Sequence, residues 1–192
     1  NLGTGVWEQF DDKGNKTSEI HYTIIEKEGK KESVKHGPEL RWINHVCVQK
    51  TMFEMGLQNG VHEQFYNDGT LKERLYFKEG KLEKESYYYH PDGKLKRYEE
   101  RVHPSETSRR GHWIRNFHTD GSLTYKGFYE NDKRITESQY VEGKMTRWDL
   151  HDLLSVSFTP DGAVASFHIS GMANQPIFEV FYYQNGALRK MG

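Results

Sequence analysis

Hydrophobic and polar positions along this chain alternate in short runs, the period of half-buried strands rather than of helices. Six segments share an aromatic residue followed four positions later by glycine: Phe10 to Gly14, Phe65 to Gly69, Tyr89 to Gly93, Phe117 to Gly121, Phe158 to Gly162 and Tyr182 to Gly186. In five of the six, Asp or Asn precedes the glycine (Asp68, Asp92, Asp120, Asp161, Asn185), and Lys13 departs. Two residues after the glycine stand Leu71, Leu95, Leu123, Val164 and Leu188, with Lys16 departing. Four residues before the aromatic anchor stand Val6, Val61, Trp113, Leu154 and Phe178, with Glu85 departing. Aligned columns of this kind define an internal repeat.

The columns have a local physical reading. In Phe158-Thr-Pro-Asp-Gly-Ala-Val164, Pro160 suits the first central position of a type I turn and Asp161 the second. Gly162 then takes positive φ and closes a three-residue hairpin loop with a bulge. His90-Pro91-Asp92-Gly93 repeats the device. Such a loop sets the anchor opposite the aliphatic residue six positions later, so Phe65 should face Leu71, Tyr89 should face Leu95 and Phe117 should face Leu123. Each pair contributes roughly 0.2–1 kcal/mol. A lone hairpin is marginal, and stacked hairpins gain stability by sharing one continuous apolar face.

The fold class this predicts is all-β: a single-domain, elongated, curved antiparallel sheet of about seven or eight stacked hairpins with little or no helix. The units run over about 5–24, 37–55 (degraded), 60–81, 83–102, 111–132, 133–150 (degraded), 153–170 and 176–191. Return turns are expected at Lys78–Lys81 and Glu142–Lys144, a charged loop around Glu26–Lys35, and another loop over 103–110. Met145–Leu154 is the one stretch allowed a turn or two of helix.

Composition narrows the partners. Charged residues make up 29% and apolar ones 34%, yet the 12 Tyr, 10 Phe and 4 Trp argue against disorder. Net charge is −1 and no stretch is strongly basic, which disfavours nucleic acid and anionic lipid. Residues 151–192 carry only 5 of the 55 charged side chains, so this end should be better buried or more adhesive. No apolar run is long enough for a membrane-spanning helix. Cys47 is the single cysteine, so no internal disulfide forms. The chain opens on Asn1 rather than Met, which points to an exported, periplasmic protein, with the cytoplasm as the alternative.

Gly60-Val-His-Glu-Gln-Phe-Tyr-Asn-Asp-Gly-Thr-Leu-Lys-Glu-Arg-Leu-Tyr-Phe-Lys-Glu-Gly-Lys81 resembles the MORN-repeat variant of YwqK-type bacterial proteins, as do residues 87–95 and 117–123. The likeness covers most of 60–130, recurs at 155–192 and is weaker before residue 60. The resemblance implies a meandering antiparallel sheet acting as an antitoxin or immunity protein that binds and occludes a cognate, often secreted, toxin. It carries over no site residue, because the repeat's glycines and aromatics are structural.

Motifs for chemistry are sparse. Ten histidines invite a metal, but His62-Glu63 lacks the second histidine of a zinc helix, and His112 and His118 lie six apart on one hairpin. Cys47 and His45 would share a strand face, although a small apolar filler between Val46 and Val48 is the plainer reading of the cysteine. Asp11-Asp12 and Glu99-Glu100 point to opposite faces of a strand and do not converge on a bond. Trp42 and Trp148 are read as core plugs, with interface anchors as the alternative. No cofactor, no metal and no catalytic residue is expected.

One pattern rises above this background. Residues flanking each anchor fall on the opposite, second face, and they are rich in Tyr, His, Asn and Gln. Such side chains suit a protein interface. The expected partner-binding residues are Tyr66, Tyr88, His90, Asn116, His118 and Tyr183. The expected function is a non-enzymatic immunity protein binding one toxin molecule. The alternatives are a lipid- or membrane-associated scaffold and, after it, a carbohydrate-binding protein or enzyme.

Overall fold

The computed structural model describes residues 3–102, 111–151, 153–170, 176–182 and 187–191. The expected loop at 103–110, the sixth turn at 183–186 and Tyr183 lie outside the described residues. Contacts cluster into two compact units, Asn1–Leu95 and Lys96–Gly192. The first holds β1 (Gly5–Phe10), β2 (Lys16–Lys27), β3 (Lys30–Ile43), β4 (Val46–Glu54), β5 (Leu57–Phe65), β6 (Leu71–Lys78) and β7 (Lys81–Tyr89). The second holds β8 (Leu95–Val102, entered at the last residue of the first unit), β9 (Gly111–Phe117), β10 (Leu123–Glu130), β11 (Lys133–Val141), β12 (Lys144–Leu150), β13 (Leu154–Phe158), β14 (Val164–Ser170), β15 (Pro176–Tyr182) and β16 (Leu188–Met191). Strand order is chain order, an antiparallel meander, and no described residue is helical.

The repeated turn forms as its residues require. Gly162 N–H donates to the Thr159 carbonyl at 2.9 Å, Thr159 N–H to Ala163 at 2.8 Å, and Gly162 takes φ +91°. The register shifts between Ser157 and Phe158 so that Phe158 faces Val164. The same bonds close the turns after Phe10, Phe65, Tyr89 and Phe117, and Phe65 faces Leu71 as Phe117 faces Leu123. In three turns the Asp before the glycine caps the chain beyond it: Asp68 accepts from Thr70 N at 2.8 Å, Asp92 from Lys94 N at 3.1 Å and Asp120 from Ser122 N at 2.7 Å. The first turn has Lys13 there, and Asp11 substitutes by accepting from Asn15 N at 2.8 Å.

Six of the other described reversals need only two residues. Both take positive φ at Glu28–Gly29, Asn44–His45, Met55–Gly56, Glu79–Gly80, Asn131–Asp132 and Glu142–Gly143, the signature of a type I′ turn. Lys78 faces Lys81 and Val141 faces Lys144, as the return turns demand. The degraded unit at 37–55 is the β3–β4 hairpin, with Trp42 in the anchor place opposite Cys47. His45 lies in its turn, so it does not share a strand face with the cysteine.

Three expectations are corrected. Residues 26–35 are not a loop: they are the tip of the β2–β3 hairpin, where Glu26 faces Lys31 and Tyr22 faces Lys35. The β-branched Thr23, Ile24 and Ile25 extend the strand, and the charges pair across it or meet solvent. The described residues of 145–154 hold no helix, because β12 is bonded to β11 on one side and β13 on the other. Trp42 and Trp148 are half-buried rather than core.

The apolar core also differs from expectation. Among the described residues, packing runs mainly between strands adjacent in the chain, so each face is covered mostly by its own side chains. On the anchor face, Phe10 is 55% and Val6 54% exposed. In the second unit that face does carry an apolar row, Trp148–Val156–Phe167–Val180. In the first unit the equivalent row, Glu8–Glu19–Leu40–Lys50–Glu63–Arg74, is mostly charged. The deeply buried set is mainly polar: Ser18, Glu39, Thr51, Ser86, Glu137, Ser138 and Asp149, beside Ile114 and Val180. All but Ser138 and Val180 lie on the second face.

Replacing Gly162 by Ala forces a side chain into the left-handed region and is expected to cost about 1–2 kcal/mol. Glu79→Asn, at a left-handed non-glycine position, is expected to add up to about 1 kcal/mol. Urea unfolding of both variants against the parent checks the pair.

Candidate interaction surface

Register brings the second-face side chains of each unit into transverse rows. In the first unit one row runs Trp7–Ile20–Glu39–Thr51–His62–Leu75–Ser86 across all seven strands. The next runs Gln9–Ser18–Arg41–Gln49–Gln64–Glu73–Tyr88. Strand glycines shape this face: Gly37 and Gly60 sit five residues before their anchors at φ +106° and +104°. A Cβ at Gly60 would lie 3.3 Å from that of Met52, so the positive φ favours glycine and a side chain there would also crowd Met52.

Glu39 is 3% exposed. Burial by itself would raise its carboxyl pKa, but Lys35 Nζ at 2.5 Å and Arg41 Nη2 at 2.9 Å outweigh it and hold the group below its ordinary value. Lys35 also lies 4.8 Å above the Phe53 ring. Beside this triad the Gln49 amide donates to Thr51 Oγ1 at 3.2 Å, and that hydroxyl bonds His62 Nδ1 at 2.8 Å. His62 Nε2 lies 3.9 Å from Glu73, and its ring meets Phe77 edge-on at 6.2 Å. Burial pushes the imidazole below its ordinary pKa, partly offset by Glu73, Glu39 and Glu63. Thr51, at 1% exposure, is closed to any incoming substrate, so this Thr–His–Glu succession binds the face together.

The second unit repeats the plan with other residues. Glu99, Ile114, Gly127, Glu137, Asp149, Ser155 and His168 share one row. The His112 ring stacks on Tyr129 at 5.5 Å and 15°, and burial lowers its pKa. The Tyr125 and Tyr129 hydroxyls bond at 2.7 Å, and burial followed by that bond keeps Tyr125 neutral. Arg134 pairs with Glu137 at 2.9 Å. Arg147 holds Asp149 in a fork, Nε to Oδ2 at 2.7 Å and Nη2 to Oδ1 at 3.0 Å. Towards the C-terminal strands the face opens into a recess of about 380 Å3, lined by these two residues, Ser155, Ser157, Ser166, His168, Ser170 and Phe181 among others.

The expected partner-binding residues fall in two sets. Tyr66 and Tyr88 lie on the first unit's second face, half-buried, with the Tyr66 hydroxyl donating to the Tyr89 carbonyl at 2.8 Å. His90 starts the turn that follows. Asn116, half-buried, faces Arg97 and Tyr125 in the second unit. His118 is exposed in its turn, 3.6 Å from Asp120. The Glu99-Glu100 pair diverges as expected, Glu99 meeting Arg97 on one face and Glu100 meeting Arg115 at 3.1 Å on the other, whereas Asp11 and Asp12 lie in the first turn rather than on a strand. Among the described residues, no group of three or more His, Cys, Asp or Glu is placed to hold a metal ion. Among them too, no helix is long and apolar enough to cross a membrane.

Two features escaped the sequence reading. The glycine five before the anchor recurs at Gly5, Gly37 and Gly60 and was available as a column. The row three before the anchor mixes Trp7, Glu39, His62, Ser86 and Ile114, so no residue type marked it.

Residues 58–79 and 82–102 match a known repeat family. That family is described as a MORN repeat variant. The first spans the β5–β6 hairpin and the second β7–β8, and each carries the anchor, Asp-Gly turn and leucine that recur elsewhere in the chain. No curated protein matches the chain. Among solved structures, a porin-like protein from Bacteroides uniformis ATCC 8492 aligns over 97% of this chain and 87% of its own, with 10% identity and a TM-score of 0.24. A likeness that low carries no weight for fold or function.

Thr51→Val strands the His62 ring and the Gln49 amide and is expected to cost about 1–3 kcal/mol in urea unfolding. The lowered imidazole gives a second prediction. Folding disfavours protonated His62, so its contribution is complete above the ordinary value of 6.5 and is lost as pH falls from there towards the lowered folded value. His62→Gln should therefore flatten the fall of Tm across that window, and an unchanged slope would assign the effect elsewhere.

Proposed function

We propose that the protein is a repeat-built binding module and, at the finer level, an immunity protein that binds one molecule of a cognate toxin and covers its active site. It acts by occupancy and turns over no substrate. Its compartment follows the toxin's target, for which we propose the periplasm. The observation that carries this reading is the second face of the first unit. There Gln49, Gln64, Glu73 and Tyr88 stand in one row across four neighbouring strands, with Tyr66 already bonded to backbone beside them.

Tyrosine and glutamine offer both apolar area and hydrogen-bonding tips, the mixture that protein interfaces favour. Side chains already held by their neighbours lose little freedom on docking, which lowers the cost of association. The MORN repeat match supports the scaffold reading, and the resemblance to YwqK-type proteins supports the toxin as partner.

The test pairs rescue with binding. Cells expressing the toxin encoded beside this gene should grow only when the intact chain is co-expressed, and the two proteins should co-elute one to one. Tyr66→Ala with Tyr88→Ala should weaken binding by about 10-fold or more, as hot-spot aromatics do. Lys50→Ala, an exposed position on the anchor face, should leave it unchanged. Growth without the chain, or no complex with that toxin, would overturn the reading.

A further inference from the structure

We propose that the recess in the second unit is a binding site for a neutral saccharide. The recess exists because of a local change in the repeat. In the column just before the anchor, other units place Gln64, Tyr88 or Asn116, and here it holds Ser157. The residue facing Ser157 on β14 is Ser166, and the position two before it is Ser155. Short side chains therefore stand where long ones cover the face elsewhere. They leave about 380 Å3, at the lower end of the roughly 300–1,000 Å3 of small-molecule sites.

The lining selects the ligand's chemistry. Arg147 gives two of its five N–H donors to Asp149, and its side chain is 52% exposed, so the remaining donors point outward from a fixed fork. Asp149 cancels the guanidinium charge at contact distance. An anion thus gains little net attraction, and neither does a cation. Ser157 and Ser166 hydroxyls bond each other at 2.6 Å, and His168 Nε2 bonds Ser170 Oγ at 3.0 Å. Hydroxyls and a histidine ring both donate and accept, so they match a ligand whose own groups do both. Phe181 supplies an apolar wall against which the C–H face of a sugar ring packs. A purely apolar ligand would cover the outward donors of Arg147 and the spare hydrogen-bonding capacity of the serines without replacing the water they hold.

This site is separate from the partner-binding face of the first unit, so the two proposals stand or fall independently. The test is an NMR titration of the isotopically labelled full chain with glucose, galactose, N-acetylglucosamine and their disaccharides, with inorganic phosphate as the comparison. At least one sugar is expected to give saturable shifts confined to residues around 147–149, 155–157 and 166–168, with saturation transfer to its ring protons. Phe181→Ala should weaken it by about 10-fold. Ser157→Leu, which fills the recess, should abolish it while leaving the dispersed spectrum of a folded chain. Absence of shifts with every sugar would overturn the proposal. So would shifts that survive Ser157→Leu, or phosphate producing the same saturable response.

Discussion

A backbone forced into the left-handed region at each described reversal is the constraint from which the sheet follows. Successive side chains of a strand point to opposite faces, so a slip of one residue would exchange the two faces completely. The three-residue turns prevent that slip. Gly69, Gly121 and Gly162 take positive φ, the bulge absorbs one residue, and the anchor meets the aliphatic residue six places on. The two-residue turns at the other strand ends lock the return register in the same way. Where a turn lacks its usual cap, a substitute is present: Asp11 does for Asn15 what Asp68 does for Thr70.

Among the described residues, strands pack mainly against their chain neighbours, and no second layer of secondary structure covers either face. The interior is then whatever the side chains cover among themselves. On the second face, short residues such as Thr51, Ser86 and Ser18 sink beneath longer ones, and the charges that accompany them are paired. Glu39 is tolerable at that depth because Lys35 and Arg41 both reach it. Apolar residues consequently remain half-exposed, and the polar network supplies much of the order that a core would otherwise give. The same logic produces the recess: a run of serines covers less than a run of glutamines and tyrosines.

This division of labour suits binding. The turns and registers are common to the units and set the frame, while the second-face rows vary from strand to strand and can carry recognition. The first unit offers a filled, hydrogen-bonded row. The second offers a concavity of side-chain size with a neutral mixture of donors and acceptors. Charge separates the ends as well, since only 5 of the 55 charged residues lie beyond residue 150, the stretch that supplies most of the recess.

By itself the amino-acid sequence determined the all-β repeat, the positions of the glycine turns, the facing of Phe65 on Leu71 and of Phe117 on Leu123, and the assignment of residues to two faces. These are local properties: turn chemistry and period-2 alternation act within a dozen residues. It misjudged Glu26–Lys35 and Met145–Leu154, where strand pairing on either side outweighs charge content and helix preference. Only the tertiary structure decided which face closes and what sits in it. Thr51, His62, Glu39 and Lys35 come from three strands whose registers must all hold before they meet, and Ser157, Ser166, Arg147 and Phe181 from four. Cross-strand company of that kind leaves no fixed spacing along the chain, so it becomes visible only when the strands are paired.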